Sequence, residues 1–293
     1  MQQKSNVIEV CLKIEAALTN RQPLSVIRLG DREGGMLAYP ELLGRSAVDR
    51  CYKDWFGHTD ISDEASYSIA QQMRDAVRQA DVVGVPRTKQ TQLHPHYQAV
   101  FDAAEHYSLI KHGTMLTDAA LHRYLQFTLL FRKLLWQRDV VGVVSPRDVA
   151  DSLKRVFKIG AVEHYLVRGQ SKYEGRSTLP HFPDRFAQLQ EQLSVPYPGA
   201  LFLVGAGGLG KIYCQWLKER GAVAIDIGAI FDAWSNVKSR LVHPCHSIDC
   251  YADVPTISLP QSVQRFNDLC DHFQLDTERL KAEAYPELAG VTW

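Results

Sequence analysis

Residues Leu201–Lys211 read Leu-Phe-Leu-Val-Gly-Ala-Gly-Gly-Leu-Gly-Lys, and they constrain the fold more than any other stretch. The apolar start, Ala200 to Val204, is a buried strand, the glycines are a tight turn, and apolar residues at helical spacing follow from Leu209 to Arg220. A second apolar run, Ala222 to Ile227, is another strand and carries Asp226 at its end. A strand, a helix and a strand in so short a span form a parallel pair with a crossover helix.

The same alternation recurs along the chain. Val7 to Leu18 has helical spacing, Leu24 to Leu29 is a strand, and Asp63 to Ala80 is a helix with Asp63 as its cap. Strands follow at Asp81 to Pro86, Asp139 to Val144 and Ala161 to Val167, with a helix after Ser145-Pro146-Arg147-Asp148 running to about Phe157. Leu116 to Trp136 is expected to be one long apolar helix, and Asp184 to Leu193 another helix. This order predicts an α/β fold with a mainly parallel sheet and helices on both faces. One domain is expected over 1–293: a core at about 20–235 and an extension at 236–293, whose helical tail covers about 262–273 and 277–284.

Lys plus Arg and Asp plus Glu each total 33, so nothing in the charge points to nucleic acid. Hydrophobic residues make up 45% of the chain, enough for a sizeable core. No apolar stretch is long enough to span a membrane, and no secretory signal is visible. The six cysteines are scattered, as expected of reduced thiols in the cytoplasm.

Two segments carry chemistry. Ser25–Gly35 places Arg28 in a strand, then Gly30, then carboxylates at Asp31 and Glu33. A guanidinium in a strand is costly unless it meets an anion or a carboxylate. Two carboxylates in a tight turn can share a divalent metal, and the metal can hold a diphosphate. The plainer reading is that Asp31 and Glu33 serve the start of a helix, through capping and the helix dipole. Gly34-Gly35 would let the backbone approach a ligand closely. In the second segment Gly205, Gly207 and Gly210 satisfy GxGxxG, with Asp226 placed for a ribose. Backbone amides at that helix start can bind any phosphate. An NAD(P)-dependent oxidoreductase using Gly205–Gly210 is one reading, but too little chain follows for a second nucleotide-binding half. Tight strand-to-helix packing is the plainer role of these glycines.

Taken together, Val204–Lys211, Ala224–Gly228, Phe231-Asp232-Ala233-Trp234, Ile27–Glu33 and His181–Phe186 resemble the signature of bacterial GT-D-type glycosyltransferases with an Asp-x-Glu element. The resemblance spans about residues 24 to 235. It implies a Rossmann-like catalytic domain that moves a sugar from a nucleoside-diphosphate donor, with a UDP-sugar expected, and Mn²⁺ or Mg²⁺ at Asp31 and Glu33. The acceptor implied is a growing surface polysaccharide, a lipid-linked sugar or a glycoprotein, reached by peripheral contact at the inner face of the cytoplasmic membrane. On this reading Asp31, Glu33 and Asp232 are catalytic. Arg28, Gly30, Ser145, Lys172, Gly205, Gly207, Gly208, Gly210, Lys211 and Asp226 bind the nucleotide sugar. Arg32 departs from the pattern, where a small residue is common. A GT-D-like binding protein without catalysis is therefore a third reading.

Other residues are weaker candidates. Asp118, Asp226 and Asp232 fall near predicted element ends, where a base could sit, and Trp234 could stack on a sugar or belong to the core. Arg168, Lys172 and Arg176 lie on an irregular basic segment that could cover phosphates or stay solvated. His243, Cys245, His246 and Cys250 have no common zinc spacing.

Overall fold

The computed structural model describes residues 4–169 and 180–237, together with 239, 248–252, 254, 261 and 264. Seven short runs form strands: β1 (Leu24–Arg28), β2 (Val82–Val85), β3 (Met115–Asp118), β4 (Val140–Ser145), β5 (Ala161–Leu166), β6 (Leu201–Val204) and β7 (Val223–Asp226). They pair in parallel in one sheet of order β3-β2-β1-β7-β6-β4-β5. The α/β class and the parallel sheet expected from the alternation are both present.

The helices of the first half are α1 (Val7–Thr19), α2 (Asp31–Leu37), α3 (Arg45–Trp55), α4 (Asp63–Gln79), α5 (Thr88–Leu93) and α6 (Pro95–His106). Those of the second half are α7 (Leu121–Phe127), α8 (Leu130–Leu135), α9 (Ala150–Phe157), α10 (Phe186–Gln192), α11 (Gly210–Glu219) and α12 (Ile230–Trp234). Alternate strand residues feed two cores, as the two-residue side-chain period requires. Val26, Val141, Val143, Leu201, Leu203, Val223 and Ile225 pack on the face with α1, α7, α8 and α9. Ile27, Val83, Val144, Phe202, Val204 and Ala224 pack on the face with α3, α4, α6 and α11.

Local chemistry sets several helix starts. Asn6 Oδ1 accepts from Ile8 N and Glu9 N, while Glu9 Oε2 accepts from Asn6 N, which closes a capping box on α1. Helix α4 starts at Asp63 as expected, but its cap is Ser62, whose Oγ accepts from Ala65 N.

The single helix expected over Leu116–Trp136 is corrected. Met115–Asp118 is instead strand β3, registered against Val82–Val85. The rest is two helices broken at Leu129, which sits in the left-handed region at φ 56°. Leu121, Tyr124, Leu125, Phe127, Leu130, Phe131, Leu134 and Leu135 are all buried. Burial around the whole segment erases the polar face that would mark where a helix ends. Helices α3, α5 and α6 had no expectation attached to them. The expected tail helices over 262–273 and 277–284 lie outside the described residues.

Candidate active site

Strands β1 and β7 are neighbours at the point where the sheet order reverses, and open α/β sheets bind ligands beyond the strand ends there. A cleft of about 270 Å³ lies at this point. It is lined by Arg28, Gly30, Asp31, Arg32 and Glu33 after β1, by Pro146 and Arg147 after β4, by Gly205–Gly207 after β6, and by Asp226, Gly228 and Asp232 after β7. Arg87 and Gln90 after β2, and Ala119, Ala120, His122 and Arg123 after β3, form the opposite wall.

The cleft floor is a network of ion pairs. Arg28 leaves β1 and meets Asp226, with Nη2 3.2 Å from Oδ1 and Nε donating to the Asp226 carbonyl at 3.0 Å. Its Nη1 donates to the Ala119 carbonyl (3.1 Å) and to His122 Nδ1 (2.9 Å). The guanidinium in the strand has thus found the carboxylate that its position demanded. Lys211 Nζ lies 3.0 Å from Asp226 Oδ2 and 2.7 Å from Glu33 Oε1, and it donates to the Gly207 carbonyl. Glu33 Oε2 accepts from Gly30 N at 2.9 Å. The network therefore ties the end of β7, the turn after β1 and the start of α11 into one unit.

Burial opposes the charge on Lys211, but Asp226 and Glu33 outweigh it and hold the ammonium above its ordinary lysine range. Burial likewise pushes Asp226 up, while Arg28 and Lys211 outweigh it and hold the carboxyl below its ordinary range. Both groups stay charged at neutral pH because of each other.

Asp31 lies at the cleft edge with its Oδ2 2.9 Å from Arg32 Nη1, and Arg32 reaches back to Asp54 through Nη2 (2.5 Å) and Nε (2.7 Å). The cation between the two carboxylates of the motif thus pairs with the first. Arg147 Nε donates to Asp232 Oδ1 at 2.7 Å, and Ser239 Oγ donates to Asp232 Oδ2 at 2.5 Å. Ser145 Oγ accepts from Arg147 N, which shapes the turn that presents Arg147. His181 Nε2 is 2.8 Å from Tyr213 Oη, and burial pushes its pKa down to about 3, so this cleft residue is neutral.

Of the residues expected at the site, the cleft gathers Arg28, Gly30, Asp31, Glu33, Gly205, Gly207, Lys211, Asp226 and Asp232. Ser145 and Gly208 are buried, and neither they nor Gly210 line the cleft. Lys172 and Arg176 lie outside the described residues, as do His243, Cys245 and His246. Among the described residues, no three or more His, Cys, Asp or Glu side chains are grouped to hold a metal.

Packing accounts for several of the glycines. A Cβ on Gly208 would stand 2.1 Å from the Trp55 ring, and one on Gly205 would stand 2.4 Å from Phe231. A Cβ on Gly34 would meet the His96 carbonyl at 1.9 Å, so that glycine admits helix α6 rather than a ligand. Trp234 belongs to the core, where Nε1 donates to Gln126 Oε1 and the ring packs on Phe131 and Phe157. Arg87, Gln90, Tyr97, Trp55, His122 and Arg123 are cleft residues that had no expectation attached to them. Their signal was weak, because each lies in or beside a helix with no motif around it.

These features define an α/β protein with a cation-rich cleft at a topological switch point. The model of the GT-D fold-like domain matches residues 5–234, and the chain belongs to that family. A solved structure described as the domain of unknown function 1792 with a distinct glycosyltransferase fold is 14% identical, with a TM-score of 0.51 over 89% of this chain and 93% of that one. A structure described as a new glycosyltransferase of that domain, from Streptococcus sanguinis, is 13% identical, with a TM-score of 0.51 over 90% and 97% of the two chains. At these identities the likeness is one of fold. No curated protein matches the chain.

Proposed function

We propose that the protein is a glycosyltransferase that takes its sugar from a nucleoside-diphosphate donor, a UDP-sugar, and passes it to a hydroxyl of a glycan, lipid-linked or protein acceptor. One observation carries this reading. In a chain of zero net charge, seven Lys and Arg side chains and four carboxylates line the cleft at the switch point, and two of the cations, Arg147 after β4 and Arg168 after β5, stand on the side of the Gly205–Gly207 turn, where the diphosphate is proposed to lie. Transfer from such a donor releases a diphosphate, and fixed cations aimed at the departing charge lower its barrier. Arg147 is held for that task by Asp232, and Arg168 lines the same wall. Asp232 thereby positions a cation, since both its oxygens already accept hydrogen bonds.

A divalent ion fits the residues in one way. Glu33 has Oε1 on Lys211 and Oε2 on Gly30 N, which leaves Asp31 as the more exposed carboxylate of the pair. Mg²⁺ is commonly held by one or two carboxylates together with substrate phosphates. Asp31 would hold Mn²⁺ or Mg²⁺ with the donor's diphosphate, and the ion would supply Lewis-acid neutralisation of the leaving group.

The oxidoreductase reading is disfavoured by Asp226, whose two oxygens face Arg28 and Lys211 instead of a ribose. Peripheral contact with a membrane remains part of the proposal for lipid-linked acceptors. No helix among the described residues is long and apolar enough to cross one.

The test is a thermal-shift panel of nucleoside diphosphates, nucleotide sugars and NAD(H), each with Mn²⁺, Mg²⁺ or EDTA. At 100 times its Kd a ligand adds roughly 2.7 kcal/mol, an easily seen shift. A metal-dependent shift with one diphosphate, followed by sugar release from its nucleotide sugar, supports the proposal. A shift with NAD(H) that ignores EDTA overturns it. Nucleotide binding without any turnover points to a binding protein.

A further inference from the structure

The cations that line the cleft are divided between two walls. Gly205–Gly207, Arg147 and Arg168 belong to the β6, β4 and β5 side, whereas Arg87, Gln90 and Arg123 belong to the β2 and β3 side. Three strand spacings separate β2 from β6, roughly 14 Å at about 4.8 Å each. Between the walls lies the Arg28–Asp226–Lys211 network, whose cations are already matched by carboxylates.

Arg87 on the second wall is a built feature. Its Nε lies 2.9 Å from Asp118 Oδ2, and Asp118 is buried, with Oδ1 accepting from Ala120 N at 2.7 Å. Among the described residues, Asp118 is the one side chain paired with this guanidinium. Asp118 stands beside Nε as an ion pair rather than a hydrogen bond, so it holds the charge in place while the guanidinium keeps its donors on a group that lines the cleft. An arginine fixed at one end is pre-organised, and its fork suits a phosphate or carboxylate. Gln90 and Tyr97 beside it add neutral polar groups of the kind that bind a sugar.

On the reading of the cleft as a nucleotide-sugar site, we infer that the acceptor is an anionic glycan, one that carries a phosphate or carboxylate close to the hydroxyl that receives the sugar. Arg87 reads that oxyanion on the β2–β3 wall, while the donor's diphosphate occupies the β4–β6 wall. Asp118 is a positioning residue for Arg87. The acceptor hydroxyl is then presented over Asp31, between the walls.

The experiment is calorimetric titration of the UDP-saturated protein with matched sugars: glucose, glucose 1-phosphate and glucuronate. The expected result is binding of one or both anionic sugars and none of glucose at the same concentrations. Arg87→Gln should weaken the anionic sugar about tenfold to a hundredfold and leave the UDP affinity unchanged, as expected for loss of a charged hydrogen bond. Asp118→Asn should weaken it less and in the same direction. Which anionic sugar binds tells phosphate from carboxylate. Equal binding of glucose, or Arg87→Gln weakening UDP as much as the sugar, overturns the inference and leaves the donor reading intact. Absence of UDP binding by the wild-type protein overturns the proposed function, and the acceptor inference falls with it. Circular dichroism of both variants checks that they fold; Arg87→Lys keeps the charge, loses the fork, and should fall between wild type and Arg87→Gln.

Discussion

Lys211 Nζ stands 2.7 Å from Glu33 Oε1, and this contact joins helix α11, after β6, to helix α2, after β1. It gives Glu33 a structural duty in a motif whose carboxylates are expected to hold a metal. Lys211 is buried and answers two carboxylates at once. Removing one partner of a buried pair costs about 3–5 kcal/mol, because the remaining charges are uncompensated. Lys211→Met should therefore destabilise the protein by about that amount in urea unfolding. The Lys211→Met/Glu33→Gln double variant should lose clearly less than the sum of the two single losses. Strict additivity would mean that the two side chains do not interact.

Asp226 predicts the acid limb of the stability curve. Its folded pKa lies below the ordinary 3.8 because Arg28 and Lys211 together outweigh the effect of burial. A depressed carboxyl contributes stability that is present above the unfolded pKa and lost as pH falls through the folded one. Unfolding free energy should be insensitive to this group near neutrality and fall with acidification below about pH 3.8. Asp226→Asn should be less stable at pH 7, since Arg28 and Lys211 lose a shared partner, and its stability should fall less steeply below pH 4. A variant whose acid limb matches the wild type would show that Asp226 carries no such linkage.

Central strands such as Leu201–Val204 and Val82–Val85 were legible because they are buried on both faces and read as unbroken apolar runs, whereas Met115–Asp118 at the sheet edge merges in sequence with the apolar helix after it and was not. The Arg28 problem was legible too: a guanidinium in a strand demands a partner. The partner was not, because Asp226 lies 198 residues away and only the sheet order brings β7 beside β1. Lys211, next to a glycine turn, reads naturally as a phosphate ligand. Its two carboxylates come from helix α2 and strand β7, so their prior claim on it is visible only in three dimensions. Arg87 and His122 carried no local signal, since a polar side chain on a loop or helix becomes a site residue only through the walls that topology places opposite it.

Gly208 tests whether the glycine turn answers to packing. The Trp55 ring covers it so closely that a Cβ would sit 2.1 Å from the nearest ring atom, and Trp55 is itself wedged in the core. Gly208→Ala should cost about 1–3 kcal/mol, the usual range for overpacking. Trp55→Leu in the same chain should recover part of that loss, read as a rise in Tm of the double variant over Gly208→Ala alone. No recovery would place the cost in the backbone of the turn.

Asp31 and Glu33 should separate in their dependence on a divalent ion. Glu33 has an ammonium on one oxygen and a backbone amide on the other, whereas Asp31 has an arginine on Oδ2 and stays partly exposed at the cleft edge. If Asp31 is the carboxylate that meets the ion and the donor's diphosphate, Asp31→Asn should bind UDP with an affinity that no longer changes between Mn²⁺ and EDTA. Glu33→Gln should lose stability for the reason given above while keeping the difference between Mn²⁺ and EDTA. Titration of UDP into each variant, with and without the ion, measures this directly and needs no turnover. The opposite pattern, with metal dependence lost in Glu33→Gln and retained in Asp31→Asn, would mean that ligand binding frees Glu33 from Lys211 and would move the metal to that carboxylate.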